Sequence, residues 1–351
     1  VTSNNKMYAL QTGFERFTNN IFDNLIIHYH KYDRKYDEQG TINKYYSESI
    51  TTKAERDLFL NEKISYGFGA EYKYDWGEYS TLTFTSQTKG HLKNFGIFSN
   101  AGYKLNENQS LSLHLRSDDH KETGGNQTYK INFTQLYKNF KFGLTHSTGL
   151  KNPSLYELYG SSSTHSGSRA IDPEKSKTNE LYAKYTFNKN MNFVSTFYRT
   201  NMTDRIKIKS DWSGYENKIP DTTQEGIESE LNLSIDNDQK FSIMSHFAKS
   251  RTASGGPNSR RPDLSYGINY KNKIESKNFG PLELNLNYRY IGDHLDWTGS
   301  KNEFVKSVDL IDLSIRKKAY GNIFFLNLTN LLNERYEKPA TYSQDGRQFR
   351  I

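Results

Sequence analysis

Between Pro281 and Ile291 the residues Leu282, Leu284, Leu286, Tyr288 and Tyr290 alternate without a slip with Glu283, Asn285, Asn287 and Arg289. Side chains of a strand point to opposite faces with period two, so the segment predicts a strand with one apolar and one polar face. The pattern recurs where Phe68, Ala70, Tyr72, Tyr74 and Trp76 interleave with Glu71, Lys73 and Asp75, and where Leu111, Leu113 and Leu115 interleave with Ser110, Ser112, His114 and Arg116. It recurs again where Ile227, Leu231, Leu233 and Ile235 oppose Glu228, Glu230, Asn232 and Ser234. Carried along the chain, it predicts strands near 7–17, 20–32, 55–63, 67–77, 94–104, 109–117, 127–137, 140–149, 177–187, 192–207, 222–235, 240–250, 262–273, 281–292, 306–317 and 322–331, with the start of another at 346–351.

The predicted connections alternate between short and long. Tight turns fall at 18–20, 105–108, 138–139, 188–191, 236–239 and 318–321, and long polar loops at 33–54, 78–93, 118–126, 150–176, 208–221, 251–261, 293–305 and 332–345. Consecutive connections of an up-and-down barrel lie on opposite rims, so the alternation gathers short turns on one side and long loops on the other. That asymmetry belongs to transmembrane antiparallel β-barrels of the outer membrane, with short periplasmic turns and longer extracellular loops.

Composition bears on which side of the sheet is apolar. A soluble globular chain is about 45–50% apolar, whereas this one has 34% in a set that also counts tyrosine, and a mean hydropathy of -0.88. Among its 351 residues are 26 Tyr and 21 Phe, so much of the apolar surface is aromatic. Lipid-facing barrels need only the outward half of each strand to be apolar and gather rings at the headgroups. A wet β-sandwich or β-helix is the soluble alternative. No apolar run approaches the roughly 20 residues of a spanning helix, and the N-terminus has no signal-peptide pattern. Val1 is not an initiator, and the last strand pattern, from Gly346 to Ile351, stops about halfway through a normal span. The chain is therefore expected to be a fragment. The absence of cysteine excludes disulfides, thiolate metal sites and cysteine nucleophiles. The net charge of +7 suits phosphate-rich headgroups or an anionic ligand as well as an ordinary solvated surface. No concentrated basic segment supports nucleic-acid binding.

The segment 145–176 is the most specific local signal. Pro153 starts a short turn of helix, Leu155, Tyr156, Leu158 and Tyr159 give it an apolar face, and Gly160 can end it. Asp172-Pro173-Glu174-Lys175 is a turn initiator before the next strand. Gly149, Pro153, Leu155, Leu158, Tyr159 and Gly160, followed by Asp172, Pro173, Glu174, Lys175, Ser176 and Glu180, resemble the mid-barrel segment of TonB-dependent outer-membrane receptors. Phe197-Tyr198-Arg199-Thr200-Asn201 with Thr203-Asp204-Arg205-Ile206, Gly214-Tyr215-Glu216-Asn217 before Gly226-Ile227-Glu228, Arg260-Arg261-Pro262, Leu326 to Glu337, and Gly346-Arg347 follow in the same order as in that family. Within it, Ser117-Asp118-Asp119, Lys151 to Gly160 and Ala340 to Gln348 look like segments of the cobalamin receptor branch.

The resemblance implies a barrel of about 22 strands, of which this chain would carry about seventeen, without the plug domain and first strands and with the last strand truncated. It implies uptake of a scarce, bulky ligand, cobalamin or an iron chelate such as a siderophore or haem. Energy would come from the inner-membrane proton gradient through the TonB-ExbB-ExbD complex, and outer-membrane lipids would surround the wall. Tyr342 aligns with a ligand-contacting tyrosine, and Arg260 or Arg261 with a rim arginine. Tyr36 and Asp37 align near calcium-binding loops of the cobalamin branch, although calcium needs six to eight oxygens. A passive porin-like barrel without a plug, or a soluble β-rich adhesin, are the competing classes.

No enzyme is expected. His28 and His30 share one strand face, but spacing supplies no third metal ligand beyond Asp33 among many nearby acids. Asp118, Asp119 and His120 fall in an expected loop without a specifiable Ser-His-Asp arrangement. Glu283, Arg289, Glu228 and Glu230 are expected to face inward as a lumenal charge ladder.

Overall fold

A computed structural model describes residues 2–38, 40–81, 86–160, 165–217, 221–276, 280–298 and 301–350. Residues 39, 82–85, 161–164, 218–220 and 299–300 of the expected loops, and Ile351 of the expected last strand, lie outside the described residues. In chain order the elements are β1 (Thr2–Thr18), β2 (Ile21–Glu38), β3 (Thr41–Phe59), β4 (Ile64–Thr81), β5 (Ser86–Asn106), β6 (Gln109–His120), β7 (Gly124–Tyr137), β8 (Phe140–Lys151), α1 (Leu155–Tyr159), β9 (Glu174–Asn188) and β10 (Met191–Thr203). They continue as β11 (Lys207–Ile208), β12 (Tyr215–Glu216), β13 (Thr222–Ser234), β14 (Gln239–Thr252), β15 (Leu264–Ser276), β16 (Gly280–Ile291), β17 (His294–Trp297), β18 (Asn302–Val305), β19 (Val308–Ala319), β20 (Asn322–Thr329) and β21 (Gln348–Arg350). Seventeen of them form one sheet; β11 with β12 and β17 with β18 are separate hairpins. These seventeen correspond one to one with the strands expected from the alternation, and each of the six expected tight turns spans a junction between consecutive strands, some of its residues belonging to the strand ends. The chain divides into two compact units, Val1–Thr134 with Thr145–Thr178 and Asn201–Asp221, and Gln135–Leu144 with Asn179–Thr200 and Thr222–Ile351.

In the first unit β1 to β6 run up and down, each paired antiparallel with the next. Thr2 lies opposite Asp37, Glu38 opposite Thr41, Asn43 opposite Thr81 and Asn94 opposite His120. β2, β3 and β4 have 18, 19 and 18 residues, about 60 Å at roughly 3.3 Å per residue, where a bilayer crossing takes about 9–11. The loops expected at 33–54 and 78–93 are thus corrected to the upper halves of tall hairpins, and β3 begins at Thr41 rather than near 55. The loop expected at 118–126 shrinks to a turn between His120 and Gly124, and Asp118, Asp119 and His120 belong to β6. From Lys31 to Glu38 and from Thr41 to Ser49 both faces are polar, so no hydrophobic alternation marks the strands. Backbone ladders hold them, reinforced by Tyr36 stacked on Tyr45 at 5.7 Å and Tyr45 against Tyr79 at 4.4 Å.

The register of this unit sorts its side chains cleanly. Leu10, Phe14, Leu25, Ile50, Phe68, Tyr72, Phe95 and Ile97 share one face and are exposed on it. On the other, Arg116 pairs with Glu71 at 2.8 Å and Asp118 at 2.7 Å, and Asn94 donates to Asp118 at 2.7 Å. The small apolar core of Leu92, Leu158 and Ile171 is built on this polar face, where α1 settles.

The second unit repeats the alternation with shorter strands. β13 to β16 have 13, 14, 13 and 12 residues and β19 has 12. Ile227, Ile243, Phe247, Leu286 and Phe324 are exposed on one face. The other carries Asn269 bonded to Asn285 at 2.7 Å, Arg289 to Asp312 at 2.8 Å, Ser314 to Asn327 at 2.7 Å and Arg316 to Glu283 at 3.5 Å. His246 and Glu228 approach to 3.7 Å on the same face, so Glu228, Glu283 and Arg289 stand in the charge ladder expected of them.

Candidate functional site

The polar face of the first unit acquires its relief from α1. Ser154 caps the helix by accepting from the Glu157 amide, and Glu157 accepts from the Ser154 amide in return, a reciprocal capping box. Pro153, expected to start the helix, sits one residue before the cap, and Gly160 closes the helix at φ 69°. Leu158 is buried against Leu92 and Ile171. The strands make room for this by glycine. A Cβ on Gly90 would meet the Tyr159 ring at 2.6 Å, and one on Gly77 would meet Leu155 at 3.0 Å. The Tyr159 hydroxyl donates to Glu122 at 2.9 Å, and the Arg169 guanidinium lies 4.5 Å from its ring. Burial raises the Tyr159 hydroxyl above its ordinary range, and Glu122 adds to the shift. Burial opposes ionisation of Glu122, but the bonds from Tyr159 and Lys121 hold its carboxyl below the usual value.

Beside the helix lies a cavity of about 300 Å³ lined by Tyr32, Arg34, Tyr45, Ser47, Tyr79, Thr88, Tyr156 and Tyr159. Arg34 Nε is buried and has no hydrogen-bond partner among the described residues, while its guanidinium lies 5.0 Å from the Tyr36 ring. A buried donor without an acceptor costs free energy, so an anion entering this cavity meets a guanidinium with a vacant donor, framed by phenol rings. The sequence did not single out Arg34, Tyr45 or Tyr79, because all three fall in segments expected to be loops. The density of tyrosine between Tyr29 and Tyr46 was the available signal.

The motifs that carry the family resemblance act chiefly as ties between loops of the first unit. Asn217 accepts from the Asp172 amide at 2.7 Å and donates to the carbonyls of Asp172 and Asp204 at 2.9 and 2.6 Å. Glu174 accepts from the Ile206 amide at 3.0 Å and pairs with Lys151 at 3.1 Å. The expected turn at 172–175, the Asp204–Ile206 segment and the chain next to Tyr215-Glu216 are thereby fastened together.

The residues expected to touch ligand lie elsewhere. In the second unit Asp296, 1% exposed, accepts from Arg260 Nε at 2.6 Å and from the Ala340 amide at 2.8 Å. Arg260, held at φ 62°, also donates its amide to the Leu295 carbonyl at 2.7 Å. The structure thus brings Arg260 and the loop of Tyr342 to one anchor, with Arg260 engaged in it, Arg261 exposed, and the Tyr342 side chain 66% exposed. Tyr36 and Asp37 are at the top of β2 rather than in a loop, and as successive strand residues they point to opposite faces. Asp37 accepts from the Gly40 amide at 2.8 Å across the turn, and Tyr36 stacks on Tyr45. His28 and His30 share the polar face, opposite Thr51 and Ser49. No group of three or more His, Cys, Asp or Glu poised for a metal occurs among the described residues.

Comparison with known proteins agrees with this architecture. Residues 2–331 match the family model described as TonB dependent receptor-like, beta-barrel. The siderophore receptor PirA of Acinetobacter baumannii superposes with a TM-score of 0.80 at 16% identity, over 98% of this chain and 62% of its own. The ferric-catecholate import receptor Fiu of Escherichia coli K12 gives 0.79 at 12%, over 99% and 63%. The ferric yersiniabactin uptake receptor FyuA of Yersinia pestis gives 0.78 at 14%, over 99% and 60%. At such identities the likeness shows the fold, and the chain spans about three fifths of the length of these receptors. No curated protein sequence matches it. With the family model covering nearly the whole alternating pattern, the chain belongs to the TonB-dependent receptor family, in its β-barrel part.

Proposed function

We propose that the chain forms the wall and loops of an outer-membrane receptor that takes up an anionic iron chelate. The exposed apolar faces would meet lipid, and the polar faces a watery interior. Uptake would draw on the inner-membrane proton gradient through the TonB-ExbB-ExbD complex acting on a plug, and the wall itself carries no chemistry, so no enzymatic step is assigned to it. The observation that carries the ligand class is Arg34, whose buried Nε lacks a partner inside a cage of tyrosines. Ferric catecholates present both negative charge and flat rings, and suit that cage through charge-assisted bonds and stacking. The solved receptors above are named for siderophores, which favours an iron chelate over the cobalamin suggested by residues 340–348.

The test is binding of a radioiron-labelled tris-catecholate to outer membranes of cells expressing the full-length gene, with cobalamin as competitor. Saturable binding that excess cobalamin leaves intact, and that Arg34→Ala weakens about tenfold through loss of a charged hydrogen bond, is the expected result. Saturable cobalamin binding instead would return the receptor to the cobalamin branch. Uptake that persists after the proton gradient is collapsed would favour a passive channel.

A further inference from the structure

The tall hairpins of the first unit carry a second concave surface, on the face opposite the Arg34 cavity. Register places Lys6, Lys35, Lys44, Tyr46, Tyr74 and Trp76 on the same face as the exposed ladder of Leu10, Phe14, Leu25, Ile50 and Phe68, toward the upper ends of β1 to β4. They line a hollow of about 830 Å³. Tyr46 and Trp76 meet edge to face at 5.1 Å, with Lys31 4.7 Å from the Tyr46 ring. Apolar band, aromatic rings and then lysines is the order in which a bilayer presents tails, interface and headgroups.

The charges of this hollow are incompletely matched. Glu48 is engaged by Tyr29, Tyr46 and Lys31, and Glu78 by Gln87 and Lys89. Asp33 stands across the ladder from Lys6. Lys35 and Lys44 are direct cross-strand partners, and neither makes an ion pair among the described residues. Like charges placed opposite each other on neighbouring strands repel, and a phosphate between them converts that repulsion into two favourable contacts. We propose that this hollow binds the phosphorylated headgroup of an outer-leaflet lipid, a glycolipid phosphate clasped by Lys35 and Lys44 with its acyl chains along the Leu10, Leu25 and Ile50 ladder. The inference rests on the membrane-spanning part of the reading above and is independent of the imported ligand.

The test uses the full-length receptor reconstituted in phosphatidylcholine bilayers with and without diphosphorylated lipid A. Native mass spectrometry counts retained lipid A, and Trp76 fluorescence follows its addition. A lysine facing an anionic headgroup is worth about fivefold in affinity, so Lys35→Ala with Lys44→Ala weakens retention about thirtyfold, and inorganic phosphate competes poorly because it lacks the chains. Heat-modifiable gel mobility of the same variant reports whether the barrel remains intact, and raised salt on the wild type supplies a readout free of any folding defect. Equal retention by wild type and a folded double variant, or retention by the wild type indifferent to salt, overturns the proposal. Displacement by inorganic phosphate alone would reduce it to a free-anion site.

Discussion

The two units solve one problem differently: how to hold polar chain beyond the span of an apolar band. In the first, β2, β3 and β4 simply continue, and 18 to 19 residues of ladder carry Tyr36, Tyr45 and Tyr79 as a row of touching rings. In the second, strands of 12 to 14 residues stop, and irregular chain is gathered onto the buried carboxylate of Asp296. Ladder order is spread over many weak bonds, whereas loop order is concentrated in one residue. Each region is therefore vulnerable in a different place.

Asp296→Ala is expected to have the largest effect. It leaves the Ala340 amide buried without an acceptor and frees Arg260, a loss of about 3 kcal/mol, read as a lowered unfolding temperature of the detergent-solubilised receptor and as new proteolytic cuts within 253–263 and 330–347. No single ladder substitution in the tall hairpins should match it; Tyr45→Ala with an equal loss would break the contrast. Gly90→Ala comes next. Its Cβ would collide with the Tyr159 ring, costing about 2 kcal/mol by overpacking and releasing α1, which limited proteolysis near Leu155 would register. The smallest effect is on pH. Glu122 is held below its ordinary value of 4.5 in the folded state, so its contribution is present above that value and fades as pH falls through the lower folded one. Glu122→Gln should therefore lower stability slightly at neutral pH and leave it unchanged below the folded value, flattening the acid-side loss, as pH-dependent thermal unfolding would show.

Alternation made β16 legible to within a residue, because every second side chain from Leu282 to Tyr290 is apolar. It failed on the upper halves of β2 and β3, where Lys31 to Glu38 and Thr41 to Ser49 are polar on both faces and only pairing reveals the strand. The same polar halves hold Arg34 and Tyr45, so the candidate cavity was lost with the strands that build it. Family motifs pointed instead to Arg260 and Tyr342; the first is bound into the Asp296 anchor, a role that only three-dimensional packing displays. The helix at 155–159 was readable because two of its signals, Pro153 and Gly160, are local, whereas the Ser154 cap emerges only from the structure.

The most direct test of the account is cysteine accessibility in the full-length receptor in intact outer membranes, since this chain has no cysteine of its own. Asn285→Cys, on the polar face of β16, should react with a small water-soluble maleimide, while Leu284→Cys and Leu286→Cys should resist it and react only with a lipid-soluble reagent. Equal labelling by the water-soluble reagent at all three positions, or the reverse order, would contradict a wall with one face to lipid and the other to water.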